Sequence, residues 1–297
     1  MATVHANGIQ IEFDTFGDST SPALLLIMGL GTQMIWWDEE FCRQLAAKGL
    51  FVIRFDNRDV GLSTKLDDAG IPNLLKLMSA VMQGEKIDSP YSIDDMADDS
   101  VGLLDALGIH KAHICGASMG GMIAQTIAFR HPARVASLTS IMSSTGAPDL
   151  PRAKPDVMAL LITPPPLERD ANIEHGVKIW RTISGSGFPF DEEWVQKRVE
   201  LSYDRSFCPQ GAARQLAAIL AHGDRTPALR SVTAPALVIH GVQDPLVPVE
   251  CGKATAAAIP GASLLIIEGM GHSLPVGVWP QVIDAIADHI QRAEIRA

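Results

Sequence analysis

The sequence predicts an α/β protein, a mostly parallel central sheet with helices on both faces and a helical cap insertion. Three observations carry this. Short unbroken apolar runs such as ALLLIMG (23–29) and ALVIHG (236–241) recur along the chain, with the length and aliphatic content of strands buried on both sides. Segments of helical period separate most of them, and strand alternating with helix is the signature of parallel pairing through crossover connections. The chain of 297 residues, 47% hydrophobic and 20% charged, is also long and apolar enough to bury a large core.

In chain order, GIQIEFDTFG (8–17) alternates apolar and polar residues, as a half-exposed edge strand does. Buried strands are expected at ALLLIMG (23–29), LFVIRF (50–55), AHICG (112–116), VASLTSIM (135–142), ALVIHG (236–241) and SLLIIEG (263–269). Helices are expected at WDEEFCRQLAAKG (37–49), SIDDMADDSVGLLDALG (92–108), MGGMIAQTIAFRHP (119–132), VECGKATAAAIPG (249–261) and GVWPQVIDAIADHIQRA (277–293). There is no internal repeat and no low-complexity tract.

The alternation stops between Gly146 and Thr226. A proline cluster, TPPPLERD (163–170), precedes helical stretches around NIEHGVKIWRTISGSG (172–187), DEEWVQKRVELSYDRS (191–206) and PQGAARQLAAILAHG (209–223). This reads as a helical cap of residues 146–226, dividing a core of residues 1–145 and 227–297. The insertion leaves and re-enters at the carboxyl edge of the sheet, where open α/β folds bind ligands. Met158, Trp180, Phe188, Phe190 and Trp194 are therefore candidates to line an apolar pocket.

Composition excludes several partners. The net charge is −10, from 24 basic and 34 acidic residues, with the acidic groups scattered, which argues against nucleic acid and anionic membrane surfaces. The cysteines Cys42, Cys115, Cys208 and Cys251 lie far apart without C-x-x-C spacing, so neither a disulfide framework nor a metal site is expected. No apolar run reaches the roughly 18 residues of a membrane span, and the first residues lack a basic segment followed by an apolar one. A cytoplasmic location is the expectation.

The sequence concentrates its chemistry at Gly116-Ala117-Ser118-Met119-Gly120, between a predicted strand and a predicted helix. In G-x-S-x-G the glycines let helix and strand approach closely while the serine hydroxyl stands at the apex of the turn. A serine hydroxyl alone is a poor nucleophile, so it needs a base and a group to orient that base. Asp244 follows the strand ALVIHG and His272 follows SLLIIEG, which gives the order Ser, acid, His, each on a loop after a strand. The other histidines, among them His113, His131, His175, His222, His240 and His289, read as core, helix or surface residues.

With GASMGG (116–121), GVQDPLVP (241–248) and GMGH (269–272), the chain resembles the α/β-hydrolase superfamily. The segments ALLLIMGLGTQMIWWDEEFCRQLA (23–46) and FVIRFDNRDVGLST (51–64) are similar to its bacterial serine esterase subgroup, which includes aclacinomycin methylesterase and related lipase/esterase-like proteins. The resemblance implies an acyl-enzyme mechanism: Ser118 attacks, His272 transfers the proton and Asp244 holds the imidazole tautomer. It implies oxyanion donors at the backbone N–H groups of Met119 and Leu30. It implies no cofactor and no metal.

Two departures from the family pattern stand out. Met28-Gly29 replaces the common His-Gly, which bears on loop packing, since a backbone donor does not depend on that side chain. Asp59 stands where glycine is more common, and Asp56, Arg58 and Asp59 read as a structural ion network bracing the oxyanion loop. Cys115, at a strand end, reads as a buried small hydrophobe. Met34, Trp36 and Trp37 are candidates to shape the acyl side of the pocket.

The expected substrate is a small to medium, largely apolar ester, and the expected assembly a monomer or homodimer. A thioesterase, phospholipase, cofactor-free haloperoxidase or carbon–carbon bond hydrolase would use the same three residues. A receptor that retains the fold without catalysis is the alternative from another class.

Overall fold

The structure, a computed structural model, describes residues 1–296. Its sheet contains β1 (Ala2–Ala6), β2 (Ile9–Phe16), β3 (Ala23–Ile27), β4 (Phe51–Phe55), β5 (Ala112–Ala117), β6 (Val135–Ile141), β7 (Ala236–Gly241) and β8 (Ser263–Ile267). The strand order is β1-β2-β4-β3-β5-β6-β7-β8. β1 and β2 pair antiparallel, as do β2 and β4, and the remaining neighbours are parallel.

Both sheet edges differ from the sequence expectation. β2 is not an edge strand: Asn7 and Gly8 both have positive φ, 47° and 79°, and fold β1 back onto it as the outermost strand. β8 is not buried on both faces. It closes the other edge, pairs only with β7, and leaves Leu264 40% exposed.

β3 is apolar at every position because each face of the sheet carries its own core. Leu25 and Ile27 of β3 pack with Ile114 of β5, with α3 (Ile93–Ala106) through Leu103 and Leu104, and with α4 (Met119–Arg130) through Ile123 and Ile127. Leu24 and Leu26 point the other way, into the cluster formed by α1 (Glu39–Ala47) and α11 (Trp279–Arg296). Local capping fixes where two of these helices begin. Asp38 accepts the Glu40 N–H at the start of α1, and Ser92 and Asp95 form a reciprocal capping box at the start of α3.

α2 (Leu74–Gln83) lies between β4 and α3 and packs on α8 (Pro209–His222). β6 and β7 are joined through α5 (Pro155–Ile162), α6 (Arg169–Ile183), α7 (Glu192–Arg205), α8 and α9 (Thr226–Leu229). α10 (Val249–Ala258) connects β7 to β8. α6 and α7 share a small core of their own, Ile173 and Val177 against Val195 and Val199. Gly176 permits this approach, since a Cβ there would lie 2.6 Å from Val199 Cγ1.

Candidate active site

Ser118 sits between β5 and α4 with φ 56° and ψ −120°, a conformation costly for a residue with a side chain. The turn is held from both sides: Ser118 N–H donates to Ile141 O at 2.9 Å, and Ser143 Oγ donates to Ser118 O at 2.8 Å. The flanking glycines answer a steric demand. A Cβ on Gly116 would lie 2.0 Å from Gly120 O, and one on Gly120 would lie 2.1 Å from Ile27 O. Any side chain at these positions would push α4 off β5 and β3.

His272 follows β8 on a loop whose backbone packs against residues 183–187, just beyond α6. His272 N–H donates to Ile183 O at 2.7 Å, and Gly187 N–H donates to Gly269 O at 3.0 Å. A Cβ on Gly271 would come 2.2 Å from Gly185 N, so this loop accepts only glycine at that point. His272 Nε2 lies 3.0 Å from Ser118 Oγ, and its Nδ1 lies 2.7 Å from Asp244 Oδ2.

Asp244 is buried just after β7. Its Oδ1 accepts the N–H groups of Leu246 and Val247 at 2.9 and 2.8 Å, leaving Oδ2 for His272. Burial pulls the carboxyl upward, but adjacent His272, hydrogen bonds from His240 and His272, and the Val247 N–H outweigh it and hold Asp244 at about 2. An ionised Asp244 requires the proton on Nδ1 of neutral His272, which leaves Nε2 free to accept the Ser118 hydroxyl proton. His240 is fully buried beside this carboxylate: its Nε2 lies 2.7 Å from Val247 O and 3.5 Å from Asp244 Oδ2.

Leu30 and Met119 both line the cavity that opens over Ser118. The chain at Gly29 presses close to the serine, with a Cβ there lying 3.1 Å from Ser118 Cβ. Among the described residues, neither the Leu30 nor the Met119 N–H donates to another protein group. The Leu30 loop is braced by side chains that sequence reading missed: Asn57 Nδ2 donates to Met28 O at 2.9 Å, and Gln215 Oε1 accepts the Gly31 N–H at 2.7 Å. No short motif marks either residue.

Asp56, Arg58 and Asp59 are buried, and each is paired with a distant element. Asp56 accepts the Met34 N–H at 2.8 Å and pairs with Arg205 of α7 at 2.6 Å. Arg58 pairs with Asp99 of α3 at 2.6 Å, and Asp59 pairs with Arg214 of α8 at 2.7 Å. Cys115 is fully buried, and burial pushes its thiol up. Among the described residues no group of three or more His, Cys, Asp or Glu is placed to hold a metal ion, and no helix is long and apolar enough to cross a membrane.

The cavity has a volume of about 1420 Å³. Ser118 and His272 lie in its wall, and α2, α5, α6, α7 and α8 supply much of the rest. Trp36, Met158, Trp180, Phe188, Phe190 and Trp194 line it. Trp36 stacks on Trp180 at 4.0 Å between ring centroids and meets Trp194 edge-on at 6.0 Å. Two expected lining residues do not reach it. Residues 34–36 form a single 3-10 turn, in which positions three apart share a face, so Met34 and Trp37 both turn into the core while Trp36 faces the cavity.

Comparison with known proteins identifies the family of this chain. A family model described as alpha/beta hydrolase fold matches residues 22–276. The chain is similar to rhodomycin D methylesterase DauP of Streptomyces sp. (strain C5), 31% identical over 94% of each chain. It is also similar to rhodomycin D methylesterase DnrP of Streptomyces peucetius, 30% identical over 94% of each chain. Among solved structures, the enol-lactonase from Burkholderia xenovorans LB400 superposes with a TM-score of 0.74 at 22% identity, over 98% of this chain and 100% of that one.

Proposed function

Because the chain belongs to the alpha/beta hydrolase fold family, we propose that it is a serine carboxylic ester hydrolase in which Ser118, His272 and Asp244 act together. The observation that carries this reading is the continuous hydrogen-bond line from Ser118 Oγ through His272 to Asp244, opening into an apolar cavity. Its relatives named as methylesterases support an ester as the substrate.

In this reading Ser118 Oγ attacks the ester carbonyl carbon as its proton passes to His272 Nε2. The negative charge on the carbonyl oxygen is received by the N–H groups of Leu30 and Met119, with the N-terminus of α4 behind Met119. The C–O bond to the alcohol then breaks, and the departing alkoxide takes the proton from His272. Water gives a proton to the same Nε2 and attacks the acyl carbon; collapse of the second adduct frees the acid and returns the proton to Ser118 Oγ. Asp244 remains ionised throughout and holds the ring in one tautomer.

Residues 146–226 act as a cap over the reacting serine and supply most of the apolar wall. The cavity exceeds the roughly 300–1,000 Å³ usual for small-molecule sites, which favours moderately sized apolar esters within the expected range. Hydrolysis of p-nitrophenyl esters from C2 to C16 by the wild type and Ser118→Ala tests the reading. The expected result is turnover by the wild type, lost in the variant, with a preferred chain length that measures the acyl side. Turnover by Ser118→Ala at the wild-type rate would remove Ser118 from the mechanism.

A further inference from the structure

From the charge inventory of the cavity wall we infer that the site is selective for uncharged esters and rejects esters carrying a carboxylate elsewhere in the molecule. This rests on the ester hydrolase reading and goes beyond it by assigning the substrate a charge.

Among the described residues that line the cavity there is no lysine, arginine or glutamate. The one carboxylate, Asp191, caps α7 by accepting the Trp194 N–H at 3.0 Å. His175 is the one lining histidine besides His272, and burial, with Lys178 nearby, lowers its titration below the ordinary histidine value, so it is uncharged at neutral pH.

The wall is not short of cations in its own helices, but the guanidiniums of α7, α8 and the C-terminal half of α6 are engaged elsewhere. Arg205 of α7 donates to Asp56 at 2.6 Å, and Arg214 of α8 donates twice to Asp59, at 2.8 and 2.7 Å. Arg198 pairs with Asp38 and donates to Ile35 O at 2.7 Å, and Arg181 pairs with Glu192 while lying 4.5 Å above the Phe190 ring. None of the four is a lining residue.

The polar groups nearest the tryptophans are likewise satisfied within the wall. Trp36 Nε1 donates to Ser202 Oγ at 3.0 Å, and Gln33 Nε2 donates to Ser202 O and Ser206 O. Beside these tryptophans a substrate therefore meets indole and aliphatic faces. An ionised carboxylate moved into such a wall loses its hydration and gains no counter-charge, whereas an uncharged ester group of similar size loses little.

The test compares three p-nitrophenyl esters of matched acyl length: the hexanoate, the methyl adipate diester, and the hydrogen adipate, whose distal carboxyl is ionised at pH 7.5. The hexanoate and the methyl adipate are expected to agree within a few-fold in kcat/KM, and the hydrogen adipate to fall at least about 100-fold below them. Running the series at 50 and 500 mM NaCl separates the cavity from the acidic surface of the protein, because salt screens exposed charges and not a desolvated wall. A deficit that persists at high salt supports the inference. Equal turnover of all three esters, or a deficit abolished by salt, overturns it while leaving the ester hydrolase reading intact. No turnover of either uncharged ester overturns the ester hydrolase reading and this inference with it.

Discussion

At the scale of single residues, the site depends on an imidazole held in one tautomer and on a carboxylate that stays ionised. Asp244 accepts two backbone N–H groups on one oxygen and faces His272 with the other. Replacing it with Asn would present an amide N–H to Nδ1 and favour the tautomer whose Nε2 carries the proton. Asp244→Asn is therefore expected to lower kcat by about 10³–10⁴-fold with little change in KM, measured on the preferred p-nitrophenyl ester. The same geometry shapes the acid side of the rate profile. With Asp244 held at about 2, its carboxylate stays ionised well below neutral pH and adds no protonation of its own to the loss of rate there. Log kcat/KM is expected to fall with unit slope as pH drops, and a slope of two at a pH where the protein is still folded would show that a second group of the site takes up a proton there.

At the scale of elements, the loop after β4 is fastened to α8 by a buried pair. Asp59 has φ 69°, a backbone conformation that suits glycine, and its carboxylate is matched in two hydrogen bonds by Arg214. Arg214→Met would leave Asp59 buried without its partner, and a loss of about 3–5 kcal/mol in unfolding free energy is expected from urea titration. Adding Asp59→Gly to that variant removes the stranded charge and relieves the positive φ, and should recover most of the loss. If the double variant is no more stable than Arg214→Met, the pair is not what fastens this loop.

Elements also show what the sequence could and could not disclose. Ser118, Asp244 and His272 were legible because each is fixed by local punctuation, a glycine-flanked turn or the end of an apolar run. Asn57, Arg205, Arg214 and Gln215, which brace the neighbouring loops through Met28, Asp56, Asp59 and Gly31, were not, because they meet those loops only through long-range packing. β1 was missed because its five residues, ATVHA, are too few to show a pattern, although the Asn7-Gly8 turn beside them signalled a hairpin. α2 and α5 were missed because they turn apolar residues toward the cavity rather than toward a sheet core, and an apolar stretch does not say which. Met34 and Trp37 were misplaced for the same kind of reason: three-residue periodicity in one turn cannot be separated from a loop by reading along the chain.

For the whole molecule, stability is tied to pH by histidines that fold, neutral, into largely buried positions. Burial is the main cause that lowers both His222 and His289, each to about 4 against an ordinary value of 6.5. Between those limits the unfolded chain binds protons that the folded protein does not, so stability is full above about pH 6.5 and declines as pH falls toward 4. Each such group contributes a slope of about 1.4 kcal/mol per pH unit across the middle of this window. Unfolding free energies from urea titrations at pH 4.5, 5.5, 6.5 and 7.5 should therefore drop steeply over the lower three points and level off at the top. His289 lies in α11, which packs on β6, and His289→Phe keeps an apolar ring there without a titrating group. That variant is expected to lose about one proton's worth of the slope, while an unchanged slope would place the proton uptake elsewhere. The result also governs how the rate profile is interpreted. Loss of activity below about pH 5 reports the chemistry of the site only where the same titrations show that the protein is still folded.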